Sequence, residues 1–357
     1  MSVRQILTSF DAWRAQGAPM VLATVYETIG STYSKAGHRI LLGAHGEYQG
    51  LVSGGCLEGD LAERARTVLD TAKASAVTYD MRDAADELFG LGVGCNGLIR
   101  VFLQPLLPSQ SYQPFASIAQ HLLANRAAAV ATVVESARAG VVAGATVIVQ
   151  GELRQDWQVD REVAEQLAVE CNRALRSETT YYSQDESGLG VLYATLKPVP
   201  RLLLLGGGLD AVPLVNMAAD LGWRVTVADH RPAYLGRGGF ERAEQALHVS
   251  PAALAERIAL AEFDAIIVMS HHLVTDRTYL AQLAGVNVPY LGVLGPRARR
   301  ERLLEGIGEK AVGLRSRLKG PVGLDIGADS PESIALSVLA EIHAAFSGTA
   351  AKSLTKG

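Results

Sequence analysis

Leu202-Leu203-Leu204-Leu205-Gly206-Gly207-Gly208-Leu209-Asp210-Ala211 decides how the C-terminal half of this chain folds. Four consecutive leucines read as a strand buried on both faces. The glycines that follow give G-x-G-x-x-A, and residues 212–221 then have helical spacing. That order is the dinucleotide fingerprint, in which Gly206 and Gly208 permit a tight turn and close approach of phosphate to a helix N-terminus. Residues 224–228 read as the next strand. Asp229 ends it 21 residues after Gly208, where a carboxylate would bind a ribose hydroxyl. Asp210 puts a charge in the turn, awkwardly placed beside a pyrophosphate.

Outward from this unit, strands alternate with helices. Residues 247–249 read as a short buried strand, and 265–269 and 290–294 as further strands. Ser330 caps a closing helix over 330–345, with Pro331 at its first position. The pattern predicts a doubly wound parallel sheet over residues 199–346. A small polar tail, 347–357, follows.

Residues 1–198 have a different grammar. Helices are expected over 6–16 and 57–74, and strands over 20–27, 39–43, 48–52, 77–79 and 98–103. The chain then repeats itself. Ala23-Thr24-Val25-Tyr26-Glu27 is echoed by Ala131-Thr132-Val133-Val134-Glu135, and Ala36-Gly37-His38-Arg39-Ile40-Leu41 by Ala143-Gly144-Ala145-Thr146-Val147-Ile148. The offset stays close to 107 residues, which predicts two similar halves, about 1–108 and 109–198. The whole chain is therefore expected to be α/β: an N-terminal α+β domain with an internal repeat, then a Rossmann-like domain.

Composition narrows the class. The 357 residues carry a net charge of −4 and are 48% hydrophobic, which gives no sign of a nucleic-acid partner. No apolar run is long enough for a membrane span, and Asp11 and Arg14 argue against a signal peptide. Three cysteines argue against a disulfide framework, so the cytoplasm is the expected compartment.

Two of those cysteines sit among glycines, in Ser53-Gly54-Gly55-Cys56-Leu57-Glu58 and Gly92-Val93-Gly94-Cys95-Asn96-Gly97. Glycines flanking a thiol pack poorly, but they let the backbone approach a ligand and present N–H groups to an anion or thiolate. The second copy of the repeat lacks both segments and Gly30-Ser31-Thr32, so its fold does not need them. Cys171, on the helix expected over 163–175, reads as an inert core thiol.

Two more segments follow predicted strands, where ligands bind in such sheets. Ser270-His271-His272 with Asp276 admits loop capping, ligand contact or a metal site. Gly292 to Arg297 leads into Arg299, Arg300 and Arg302, which suit either phosphate or a solvated helix face.

These motifs together resemble the XdhC/CoxI family of accessory proteins for molybdenum hydroxylases. The N-terminal motifs are Gly30-Ser31-Thr32-Tyr33, Ala36-Gly37-His38-Arg39, the Ser-Gly-Gly-Cys-Leu-Glu turn and Gly90 to Gly97. The C-terminal ones are the glycine turn, Asp229-His230-Arg231, His271 with Asp276, Gly292 to Arg297, and Gly323-Leu324-Asp325-Ile326-Gly327-Ala328 with Pro331-Glu332. Leu209-Asp210 and Pro296 depart from the family's usual residues.

The resemblance implies a protein that binds molybdenum cofactor, in its mononucleotide or dinucleotide form, assists its sulfuration with a cysteine desulfurase and delivers it to an apo molybdenum hydroxylase. It is expected to work as a homodimer and more as a chaperone than as a stand-alone enzyme. Cys56 and Cys95 would carry persulfide or contact molybdenum, which suits soft thiolates. Glu58 would accept a proton or favour the helix dipole. Ser31, Arg39 and Ser53, with Gly54, Gly55, Gly94 and Gly97, would hold pterin or phosphate. Gly206, Gly208, Asp229, Arg231, His271, Asp276, Gly295 and Arg297 would form the cofactor site of the Rossmann-like domain. Two alternatives stand beside this: an NAD(P)-dependent oxidoreductase, and an assembly scaffold that binds protein partners alone.

Overall fold

A computed structural model describes residues 2–82, 97–353 and 355. The chain divides into two compact units, Met1–Pro198 and Val199–Gly357.

In the first unit, helix α1 (Val3–Ala15) leads into β1 (Met20–Gly30), whose first seven residues are all buried. Burial on both faces fits its place at the centre of a five-stranded sheet. Its companions are β2 (Arg39–Gly43), β3 (Tyr48–Gln49), β4 (Ser75–Asp80) and β5 (Gly97–Leu106), in the order β3-β2-β1-β5-β4. Helix α2 (Glu58–Thr71) covers one face, packing Leu61, Ala65 and Val68 on Val21, Ala23, Ile40 and Leu42.

After α3 (Phe115–Leu123), the pattern is built again from β6 (Ala128–Ser136), β7 (Thr146–Gln150), β8 (Leu153–Trp157), α4 (Arg161–Ser177), β9 (Tyr181–Gln184) and β10 (Leu189–Leu196). The strand order β8-β7-β6-β10-β9 is that of the first sheet. Even the irregularities recur. Tyr26 is the extra residue where β1 shifts register against β5, and Val134 is the extra residue where β6 shifts against β10. In each copy the residue before the bulge exchanges two backbone hydrogen bonds with the next loop, Val25 with Gly37 and His38, Val133 with Gly144 and Ala145.

The copies differ where their last two strands join. In the second, Asp185 accepts from the N–H groups of Ser187 and Leu189 and closes a short turn. In the first, the connection contains residues 83–96. Across the unit, the Tyr26 hydroxyl donates to Glu135 Oε1 at 2.9 Å, and Gln104 Nε2 donates to the Gly144 carbonyl at 2.8 Å.

The second unit holds β11 (Arg201–Leu205), α5 (Ala211–Asp220), β12 (Arg224–Asp229), the single turn α6 (Pro232–Leu235), β13 (Gln245–His248) and the single turn α7 (Leu254–Arg257). It continues with β14 (Ala265–Val268), α8 (Leu273–Leu283), β15 (Tyr290–Val293), α9 (Arg297–Gly306), the single turn α10 (Val312–Arg315), β16 (Leu318–Lys319) and α11 (Pro331–Phe346). All neighbouring strands run parallel, in the order β13-β12-β11-β14-β15-β16. The order reverses between β11 and β14, which creates the crevice where such sheets bind ligands. A hydrophobic core lies on each face.

Three local expectations need correction. The strand expected over 48–52 stops at Gln49, because 50–57 form an irregular loop. Helix α2 ends at Thr71, where Ala72 turns left-handed with φ 52°. Residues 247–249 are not uniformly buried: β13 is an edge strand, and His248 is exposed. Among the described residues, no helix is long and apolar enough to cross a membrane.

Candidate functional site

The first candidate site is the loop that leads into α2. Cys56 is free and exposed. Gly54 and Gly55 precede it in the left-handed region, with φ 82° and 119°, which glycine adopts without cost. A Cβ on Gly55 would meet nothing within 4 Å, so that glycine serves backbone conformation and open space, not packing.

The loop is held from below by Glu58. Its Oε1 accepts the N–H groups of Val52 (2.6 Å) and Ser53 (2.9 Å), and its Oε2 accepts the Ser53 hydroxyl at 2.8 Å. Ser53 Oγ in turn accepts the Leu57 N–H at 2.8 Å. Burial works to raise the Glu58 pKa, but the bonds from Ser53 and Val52 outweigh it and hold the carboxyl below its usual range. Glu58, only 1% exposed, is therefore a clamp on the thiol loop and not a proton acceptor open to a ligand. The same geometry revises Ser53, whose hydroxyl is occupied within the loop.

The segment after β1 lies beside this loop. The Tyr33 ring stands 3.7 Å from where a Gly54 Cβ would be, and the Ser34 hydroxyl donates to the Leu51 carbonyl at 3.4 Å. Tyr33 is 60% exposed and Ser31 is exposed. Gly97 is required by close approach: a Cβ there would lie 2.5 Å from the Ser31 carbonyl oxygen. Ser31, Tyr33, Gly54, Gly55 and Cys56 thus belong to neighbouring loops at one end of the first sheet, with Gly97 at the start of β5 against Ser31. Gly94 and Cys95 lie outside the described residues.

Arg39 is not in this group. Strand alternation puts it on the face opposite Ile40 and Leu42, which pack under α2. Burial alone pushes its guanidinium down to about 10, and among the described residues no carboxylate pairs with it.

The second candidate site is the crevice of the parallel sheet, and there the chain bonds to itself. Gly206 has φ 140°, and a Cβ on it would run into the Met269 carbonyl oxygen, so the turn and the β14 end touch through backbone. Asp229 is fully buried. Its Oδ2 accepts the Gly207 N–H at 2.7 Å and Arg231 Nη2 at 2.8 Å; its Oδ1 accepts the Arg231 backbone N–H at 2.8 Å and Nε at 3.0 Å. Burial raises its pKa, but Arg231 and Gly207 outweigh this and hold it low. Both oxygens are taken, which corrects the expectation that Asp229 meets a ribose hydroxyl. Arg231 is spent in the same contact, with its guanidinium over the Tyr234 ring at 3.6 Å.

Two further pairs complete the crevice. Asp276 accepts the Ser270 hydroxyl at 2.5 Å and Arg299 Nη2 at 2.6 Å. Gly295 makes this possible, since a Cβ there would lie 2.6 Å from Arg299 Cδ. His271, left-handed at φ 61°, places Nε2 2.7 Å from Asp210 Oδ2. That bond raises the His271 pKa. His272 turns away to Thr275 and caps α8. The metal alternative for His271, His272 and Asp276 is thus not realised: each has a separate partner. Arg297 is exposed at the start of α9.

Sequence reasoning missed the pairing of Arg299 with Asp276 and of Asp210 with His271. The only signal for the second was the unusual acid in the glycine turn.

A repeated antiparallel-sheet unit with an exposed thiol loop, joined to a Rossmann-like unit, defines a two-domain protein with one site feature on each domain. The chain belongs to the XdhC and CoxI family. That family's model matches residues 13–80, and the XdhC Rossmann domain matches residues 202–342. The chain is 32% identical over 341 residues to a probable xanthine dehydrogenase subunit of Bacillus subtilis (strain 168), covering 94% of this chain and 96% of that protein. It is 22% identical over 331 residues to the molybdenum cofactor insertion chaperone PaoD of Escherichia coli (strain K12), covering 91% and 83%. A crystal structure of a xanthine dehydrogenase from Bacillus halodurans superposes with a TM-score of 0.78 at 27% identity, covering 99% of this chain and 98% of that one.

Proposed function

We propose that this protein is an accessory chaperone of the xanthine dehydrogenase family, which binds molybdenum cofactor, assists its sulfuration and delivers it to an apo molybdenum hydroxylase. The observation that carries this reading is Cys56: an exposed thiol on an open glycine backbone, over a buried Glu58 clamp that fixes the loop. A soft sulfur donor beside exposed Ser31 and Tyr33 fits a molybdenum–sulfur group. When bound, the cofactor supplies the molybdenum centre that the hydroxylase needs. The chain's own part is to present the Cys56 thiol, hold the loop through Glu58 and Ser53, and offer the Gly54 and Gly55 backbone to the ligand.

Cys95 is the second thiol in this proposal, a cysteine desulfurase the sulfur source, and the cytosol the compartment. A homodimer is the proposed working form. Arg297, exposed at the start of α9, is offered to a phosphate. The saturation of Asp229 by Gly207 and Arg231 speaks against the NAD(P) oxidoreductase alternative.

The test is anaerobic purification of wild type and Cys56→Ala, followed by molybdenum and pterin analysis and by activation of an apo hydroxylase. Wild type should carry pterin and activate; Cys56→Ala should fold but not activate. Release of thiocyanate by cyanide from pterin-free wild type, and its loss in pterin-free Cys56→Ala, would assign Cys56 a persulfide. Full activation by Cys56→Ala would remove the thiol from the mechanism.

A further inference from the structure

We propose that Asp210 fills the phosphate position of the glycine turn with its own carboxylate, and that this residue decides whether the crevice of the Rossmann-like unit admits a diphosphate. The proposal concerns the second unit alone and does not rest on the role given to Cys56.

In a G-x-G-x-x-A turn the second glycine lets the backbone approach a pyrophosphate. Here that space is taken from within the chain. Gly208 is buried, and a Cβ on it would run into Asp210 Oδ1. The carboxylate folds back over the turn instead of capping α5, for it accepts no N–H of the first helical turn. Among the described residues, the N–H groups of Gly208, Leu209 and Asp210 find no hydrogen-bond acceptor. The donors that hold a phosphate in such turns are therefore not consumed by the fold.

The carboxylate is fixed from the opposite side of the crevice. His271, after β14, is left-handed at φ 61° and places Nε2 2.7 Å from Asp210 Oδ2. Asp210 thus lies over the glycine backbone with one oxygen and meets an imidazole with the other. Those are the two kinds of contact a phosphate would make in its place.

Charge gives this occupancy its effect. The crevice carries three acids and three bases in one-to-one pairs: Asp229 with Arg231, Asp276 with Arg299, and Asp210 with His271. Asp229 and Asp276 are fully buried, whereas the Asp210 side chain is 26% exposed. A diphosphate entering the turn would meet the Asp210 carboxylate where its own charge must sit. Loss of Asp210 removes that repulsion, vacates the space over Gly208 and leaves the His271 imidazole facing it. The group then recognised is the diphosphate itself and not a ribose, because both oxygens of Asp229 stay bound to Gly207 and Arg231.

Calorimetric titration of the full chain with inorganic pyrophosphate at pH 6, without divalent metal, tests the proposal. Asp210→Ala should bind with Kd below about 1 mM, at least tenfold more tightly than wild type. Adding His271→Ala to that variant should weaken binding at least fivefold. Asp220→Ala, at the other end of α5, removes the same charge and frees Arg242 from its ion pair, yet should change binding less than twofold from wild type. Should Asp210→Ala not fold, Asp210→Ser, which keeps a residue suited to a helix N-cap, is read instead with the same expected gain. The proposal is overturned by wild-type binding as tight as that of the folded Asp210 variant, by no binding to that variant, by an equal gain in Asp220→Ala, or by a gain that survives loss of His271.

Discussion

Ser53 and Glu58 hold each other in a closed arrangement: the serine hydroxyl donates to the carboxylate at 2.8 Å while accepting the Leu57 N–H at 2.8 Å. Glu58 also takes two backbone N–H groups from the residues just before the glycines. The position of Cys56 is therefore set by a charged group that no solvent reaches.

Removing that group should loosen the loop. Glu58→Ala leaves the Val52 and Ser53 donors buried without acceptors, at a cost of about 2–4 kcal/mol in urea unfolding. The folded carboxyl is held below its usual value of 4.5. Its contribution is thus complete above that pH and is lost as pH falls through the lower folded value. The gap in urea midpoint between wild type and Glu58→Gln should be widest near pH 7, begin to narrow below pH 4.5 and close as pH falls through the lower folded value. A gap independent of pH would contradict an ionised clamp.

The two described thiols should react very differently. Cys56 is exposed, whereas Cys171 is fully buried under the second sheet and burial pushes its thiol up to about 12. Iodoacetamide on the native protein should label Cys56 within minutes and Cys171 only after denaturation, as read by peptide mass spectrometry. Equal labelling rates would be incompatible with this structure.

Arg231 should matter for stability more than a surface arginine does. Arg231→Ala leaves the buried Asp229 with two backbone donors and His230 Nδ1 at 3.4 Å, a loss of about 2–3 kcal/mol. Because the chain has two units, unfolding should be followed by Trp223 fluorescence in a background where Trp13 and Trp157 are phenylalanine. A cycle with Asp229→Asn should show coupling above about 1 kcal/mol. Additive effects would mean the pair does not act as a unit.

His271 should titrate above its ordinary value of 6.5, because Asp210 stabilises the imidazolium. The folded-state value is raised, so the pair's contribution is complete below pH 6.5 and disappears as pH rises through the folded value. His271 is more than half exposed, so solvent screening keeps the stability effect small. The useful readout is NMR: the His271 ring should titrate higher in wild type than in Asp210→Asn, and identical curves would remove the ion pair.

Glycines in the first unit should separate into those that fit a contact and those that do not. Gly97→Ala drives a Cβ to 2.5 Å from the Ser31 carbonyl oxygen and should cost more than about 2 kcal/mol. Gly59, inside α2 with nothing within 4 Å, should gain about 0.5–1 kcal/mol as alanine. Thermal unfolding of both variants checks this, and the same sign for both would refute the geometry.

The architecture was largely legible from local patterns. Four leucines before a glycine turn placed β11 because a doubly buried strand needs apolar residues on both faces. The echo of Ala23 to Glu27 in Ala131 to Glu135 anticipated two sheets of one strand order. The thiol loop also showed itself, since glycines beside cysteine serve no core. What sequence did not reveal was how charges are partnered. Asp229, Asp276 and Ser53 read as groups offered to a ligand, and Glu58 as a proton acceptor or a helix-dipole partner, yet each is taken up by its own chain. Such pairing depends on where Arg231, Arg299 and the loop amides point, and side-chain direction in a loop has no periodicity to betray it. His248 was misread for a related reason: a short apolar stretch does not say whether it lies at the centre or the edge of a sheet.

The shared bulge has a consequence for how the protein can change. Tyr26 and Val134 occupy one structural position in two copies, but only Tyr26 reaches across to its neighbour, at Glu135. In an assembly of two identical chains, any substitution there would appear on both sides at once. Fusion into one polypeptide releases that constraint. The half bearing the thiol loop is free to specialise while its sibling keeps the same strand order without that loop, a division of labour that strict symmetry would forbid.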